Sequence, residues 1–237
     1  NIEYSVLSPE ETQKYISNKR LLPENYYVLL PTSVNSEHYK ILHRKYDLNI
    51  IKIRKQSIDY ACEIMKVKKS EKIVTISIRD YGFLKYRNSA FEEWKKTYQY
   101  LKKLDYRVII IPDVESKTDL KKFFSEKDIF FESQHNNHLK IGIYKRASLN
   151  LFVNGGVSTL CIFSDLPYII FNFIPKDKNG YNFWAANILQ ERGFVMRERP
   201  VFLKQNQFWV WEPDTFKNIK PAIINFFKKT DKKYQGK

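Results

Sequence analysis

Short apolar runs that do not alternate with polar residues constrain this chain most. "KIVTISI" (72–78), "RVIIIPD" (107–113), "LNLFV" (149–153) and "YIIFNF" (168–173) are each apolar over nearly their whole length. A strand with one wet face would alternate, so these runs read as strands buried on both faces. Helical patterns fall between them. "FEEWKKTYQYLKKL" (91–104) carries apolar residues at 91, 94, 98 and 101, and "HLKIGIYKRA" (138–147) reads as a helix despite Gly142. "KTDLKKFF" reads as a short helix, "DIFF" as a short strand and "FWVWEPD" as a last strand. Asp214 is then placed to cap the helix "TFKNIKPAIINFF", in which Pro221 predicts a kink. Buried strands alternating with helices define an α/β protein: a Rossmann-like, doubly wound parallel sheet over residues 71–229.

Residues 1–70 read as a shorter α/β region. "SPEET" (8–12) has a capping-box pattern, "NYYVLLPTS" and "LNIIKI" read as strands, and "EHYKILHRKY" lies between them as a helix. The chain opens on Asn1 with no signal-peptide pattern and is expected to be a piece of a longer protein. Residues 230–237 form a basic tail. There is no internal repeat, and the most apolar stretch, 160–174, is interrupted by Asp165 and Pro167 before it reaches the roughly 20 residues of a membrane span.

The formal charge of +15 favours an anionic partner: nucleic acid, an anionic lipid surface or a phosphorylated small molecule. An AT-rich genome, which favours lysine, gives the same excess. No nucleic-acid-binding motif is present and the basic residues are dispersed, so no specific nucleic-acid partner is expected. The two cysteines, Cys62 and Cys161, make no disulfide framework, and Cys161 reads as a core thiol of a reducing, cytoplasmic setting.

Ligands of open α/β sheets bind at the carboxyl ends of the strands. Only seven glycines occur in 237 residues, yet Gly155 and Gly156 stand side by side at such an end. Glycine permits positive φ and close approach of a ligand. The helix starting near Ser158 would add free N–H groups, and Ser158 and Thr159 hydroxyls. A plain tight turn explains the glycines equally well. The run at 72–78 delivers Arg79 and Asp80 to the same edge, followed by Arg87, Asn88 and Ser89, with Ser89 placed to cap the next helix. Asp113 ends the second strand, a candidate for a ribose or acceptor hydroxyl, and Glu212 the last, a candidate for ribose hydroxyls. His135 and His138 lie in a polar loop, and Tyr181, Phe183 and Trp184 are candidates for stacking on a base or sugar. No HExxH or DxD spacing points to a metal.

The segment "SIRD…YRNS…W", followed by "VNGGVSTLCIFSDLPYIIFNF", resembles the nucleotide-sugar-binding half of GT-B glycosyltransferases. It is most similar to bacterial enzymes that build surface polysaccharides, and the resemblance covers residues 71 to about 229. It implies a metal-independent transferase without a cofactor. Its donor would be a nucleotide-diphosphate sugar and its acceptor a glycan or lipid-linked molecule, with peripheral contact to an anionic membrane. By position, Arg79 and the loop Asn154, Gly155, Gly156, Val157, Ser158 and Thr159 would hold the donor diphosphate, with Arg87 as a second phosphate contact and Asn88 beside it. Asp80 is the candidate general base, although in many such enzymes the base comes from the other domain. Residues 1–70 are too few for a whole acceptor domain: either part of it is missing, or the chain is a reduced relative. Two other expectations remain open: a catalytically silent nucleotide-binding subunit, and a basic nucleic-acid-binding protein.

Overall fold

The computed structural model of the chain describes residues 10, 49–82, 85–172, 176–177, 180–181, 195, 197–200 and 202–230. The strand and helix expected between residues 25 and 46, the "SPEET" cap, Phe183, Trp184 and the basic tail lie outside the described residues.

The elements run α1 (Lys55–Ile64), β1 (Ile73–Ser77), α2 (Phe91–Lys103), β2 (Arg107–Ile111), α3 (Asn137–Arg146), β3 (Leu149–Val153), α4 (Ser158–Ile162), β4 (Tyr168–Phe171), β5 (Lys176–Asp177), β6 (Gly180–Tyr181), β7 (Gln207–Trp209) and α5 (Phe216–Thr230). The main sheet is parallel throughout, in the order β2-β1-β3-β4-β7. The expected strand "DIFF" is reduced to one parallel bridge, Ile129 to Ile110 beside β2, between two single 3-10 turns. Counting that bridge as a third strand gives the order 3-2-1-4-5-6 of Rossmann-like sheets. β5 and β6 form a separate antiparallel hairpin against the Lys85–Arg87 turn.

β1, β3 and β4 are buried at every position, as unalternating runs require. Ile73, Ile109, Phe152 and Ile170 pack on one face against α1, α3 and α4. Val74, Ile76, Leu151 and Ile169 pack on the other against Trp94 and Leu101 of α2 and Ile223 and Phe226 of α5. The chain is therefore a doubly wound α/β protein with a Rossmann-like sheet. Buried polar groups are paired across it: Thr75 Oγ1 donates to Asn150 Oδ1 at 2.6 Å, and Asn150 Nδ2 donates to Tyr144 O and Pro167 O. These bonds fix α3 and the entrance to β4 relative to the β1–β3 pair.

Gly142 is required where α1 meets α3, because a Cβ there would lie 2.1 Å from the Ser57 carbonyl oxygen. α1 belongs to this packing although it precedes the expected boundary at residue 70; its Ala61 lies in the core with Tyr144. Residues 49–54 are not the strand expected from "LNIIKI". Ile51 N donates to Phe163 O, and Ile51 and Ile53 pack on the core beside α4. Their apolar side chains close the end of a helical layer, which needs no strand pairing. "KTDLKKFF" forms only one 3-10 turn, Leu120–Lys122, started by Asp119. α5 continues through Pro221.

Asp214 does not serve the helix it precedes. Its Oδ2 accepts from Ala90 N and Trp94 Nε1 at the start of α2, while Glu93 Oε2 accepts from Phe216 N at the start of α5. Each helix is capped from the other, which locks the α2–α5 layer together. No helix among the described residues is long and apolar enough to cross a membrane.

Candidate functional site

The sheet order reverses between β1 and β3, which leaves a crevice at their carboxyl ends. A cavity of about 580 Å³ opens there, lined on its polar side by Ser77, Arg79, Asp113, Asn137, Lys140 and Thr159. Gly155 and Gly156 form one wall, and Val153, Phe152 and Leu160 contribute apolar surface.

β1 presents Arg79 to this cavity. Ile78 N donates to Ile111 O, prolonging the ladder, and Arg79 pairs with Ser89: its N donates to Ser89 Oγ and its carbonyl accepts from Ser89 N. Ser89 is thus spent on the strand end and does not cap α2, whose flanking residue Ala90 is served by Asp214. Asn88 Oδ1 accepts from Arg79 Nη1 and Tyr81 N, and its Nδ2 donates to Tyr81 O. Asn88 therefore orients Arg79 and closes the loop around it. The guanidinium carbon lies 5.7 Å from the Tyr81 ring centroid. Burial and then the neighbouring Arg87 charge push the Arg79 pKa down, opposed by Asp113. An arginine stays charged even so.

Arg87 does not line the cavity; its Nη2 donates to the Asn154 carbonyl at 3.2 Å and ties the glycine loop to the turn after β1. Asn154 N donates to Phe171 O, prolonging the β3–β4 ladder. The glycines act differently from expectation. Neither has a φ in the left-handed region that favours glycine. A Cβ on Gly155 would lie 3.5 Å from Arg79 Cδ, and one on Gly156 would meet nothing within 4 Å. Their effect is to leave backbone bare: at Gly155 the Arg79 stem lies close, and at Gly156 the wall faces open space. Ser158 is buried and donates to Gly155 O at 2.6 Å, so its hydroxyl does not face a ligand. α4 is five residues long, too short for the expected helix-dipole seat. Val157 and Thr159 do line the cavity.

The two aspartates part company. Asp80 is not among the lining residues. Its Oδ2 accepts from Ser116 Oγ, Lys117 N and Thr118 N at 2.8–2.9 Å, holding the loop after β2. Burial raises its pKa, but these bonds, Thr118 first, outweigh burial and hold it below the usual carboxylate value. That is unfavourable for a general base. Asp113 does line the cavity, and accepts from Asp80 N and Val114 N. Glu212 is exposed and lies outside the cavity, with its carbonyl accepting from Asn172 N. His135 and His138 are exposed and also outside it. Cys161 is a fully buried core thiol, its pKa raised by burial.

Lys140 is the residue that sequence reading missed. It is only 1% exposed and lines the cavity from the first turns of α3. Burial pushes its pKa down, opposed by the Asp113 charge. The sequence shows only a lysine heading the run "KIGIY"; the burial of all five residues, Lys140–Tyr144, is set by the packing. In total, the crevice offers two cationic side chains from different elements, a bare backbone wall and apolar flanks. That arrangement suits a ligand with an anionic group joined to a less polar part.

No family model matches this chain, and no curated protein or solved structure matches it either.

Proposed function

We propose that this chain carries the donor-nucleotide site of a GT-B-type glycosyltransferase. It would move a sugar from a nucleotide-diphosphate donor to a cell-surface glycan or lipid-linked acceptor. One observation carries the reading: Arg79, at the carboxyl end of β1, faces the cavity beside the bare Gly155–Gly156 wall, where the strand order reverses. In the transfer, the bond from the anomeric carbon to the diphosphate oxygen breaks, and its electron pair stays on the diphosphate. The acceptor oxygen bonds to that carbon and gives up its proton, which the leaving diphosphate can take directly or through solvent. Negative charge grows on the diphosphate, where a preorganised guanidinium stabilises it most. Tyr81, which also lines the cavity, offers a ring to the base or sugar. The donor is a substrate, and the reading calls for no cofactor. The net charge of +15 suits a cytoplasmic protein in peripheral contact with an anionic membrane that holds the acceptor.

A thermal-shift screen against UDP, GDP, CDP, ADP and CMP tests this, with Arg79→Ala alongside. A nucleotide present at 100 times its dissociation constant adds about 2.7 kcal/mol of stability. A shift with one nucleotide, lost in Arg79→Ala, is expected; no shift with any of them sinks the reading. A silent nucleotide-binding subunit is the second reading, favoured by the engagement of Asp80 with residues 116–118. Release of free sugar or transfer product from the matching donor separates the two.

A further inference from the structure

We propose that Lys140 is a direct contact for the ligand's anionic group, gripping it from α3 while Arg79 grips it from the end of β1. This deepens the nucleotide-sugar reading and rests on it for the anion's identity, a diphosphate.

Three observations on Lys140 carry the proposal. Its side chain is almost wholly buried, yet among the described residues it makes no hydrogen bond or ion pair. Two other lysines are treated differently: Lys102, on α2 across the sheet, reaches the buried Asp128, and Lys145, on α3 itself, reaches Asp165. Asp113, the carboxylate that faces Lys140 across the cavity, already accepts from Asp80 N through Oδ2 and from Val114 N through Oδ1. It forms no ion pair with the ammonium.

The surroundings make the lysine hard to explain as packing. Ile141, Gly142, Ile143 and Tyr144 follow it, all buried, and a charged residue is uncommon in such a run. An ammonium on a buried stem, with no hydrogen bond and only the Asp113 charge to relieve it, is unfavourable unless something supplies further counter-charge. The cavity is where that counter-charge can enter, since Lys140 and Arg79 both line it. The two cations complement each other. Arginine presents a planar fork, and lysine a compact point charge with three donors. A diphosphate has enough acceptor oxygens for both. Asn137, one turn before Lys140, also lines the cavity and adds a polar neighbour.

Calorimetry on the full chain tests this with three probes: inorganic pyrophosphate, the nucleoside diphosphate that stabilises the protein, and the matching nucleoside. Lys140→Met keeps the length of the side chain and removes the charge. It should weaken pyrophosphate and nucleoside diphosphate by about 10- to 100-fold, the worth of one charge-assisted contact, and leave the nucleoside within about twofold. Lys140→Gln should behave alike, and both must keep a cooperative melt. Unchanged diphosphate affinity in the variants overturns the proposal, as does a wild type that ignores pyrophosphate. Pyrophosphate binding that needs Lys140, without binding of any nucleotide, overturns the nucleotide-sugar reading and leaves the anion contact standing.

Discussion

Lys140→Met should stabilise the folded chain while it weakens the ligand. The Lys140 residue is 1% exposed and its ammonium makes no hydrogen bond or ion pair among the described residues; the Asp113 charge offsets its burial only in part, so the fold carries part of the cost of an unmade charged interaction. That cost is about 1–3 kcal/mol for a buried polar group. Methionine fills a similar volume and buries no charge. At about 2–4 °C per kcal/mol for a chain of this size, the melting temperature should rise by roughly 2–12 °C. The pH dependence supplies a second check. Burial lowers the Lys140 pKa below its ordinary 10.5, so the unfolded chain binds the extra proton between the folded-state value and 10.5. Stability that depends on this group therefore rises with pH across that window. Below the window both states are protonated and the penalty is complete. The advantage of Lys140→Met should be constant at lower pH and shrink as pH climbs toward 10.5. Denaturant unfolding of both proteins from pH 6 to 10.5 measures it. A methionine variant less stable than wild type at pH 7, or a gap that does not narrow with pH, would refute the idea of an uncompensated buried charge.

Gly142→Ala should destabilise by about 1–3 kcal/mol in denaturant unfolding, because its Cβ would stand 2.1 Å from Ser57 O. Helix propensity alone predicts a gain of about 1 kcal/mol, so the sign decides between the two effects. Asp214→Ala leaves Ala90 N and Trp94 Nε1 without their acceptor and should cost about 2–4 kcal/mol by the same assay, whereas Asp214→Asn, which keeps an oxygen, should cost less than about 1. Burial raises the Asp214 carboxyl pKa, so wild type should also lose stability as pH rises from 3.8 through the folded-state value, a slope the asparagine variant lacks. Asp80→Ala should cost about 1–2 kcal/mol at neutral pH, allowing for partial exposure. Because the Asp80 pKa is depressed, that loss should be complete above 3.8 and fade as pH falls through the folded-state value, read by urea unfolding across pH 2–6.

The sequence by itself determined the sheet and the edge where a ligand would lie. Runs such as "KIVTISI" and "YIIFNF" cannot leave one face wet, so they must be central strands covered by helices. Spacing at 91, 94, 98 and 101 was enough to give α2 its buried side. Arg79, Asp113 and Gly155 follow directly on β1, β2 and β3, so local order alone brought them to one edge. What each polar group does there was decided by partners far away in the chain. Asp80 meets residues 36 to 38 positions on, and Asp214 meets α2 at separations of 120 and 124. Local rules gave Ser89 and Asp214 to the helices that follow them, but a hydrogen bond is satisfied by whichever donor the packed layers bring within 3 Å. Lys140 shows the same limit from the other side. Its helix was legible, but whether a charged position on that helix meets solvent, a carboxylate or a cavity depends on how α1, α3 and the strand ends close around it, and only the tertiary structure sets that.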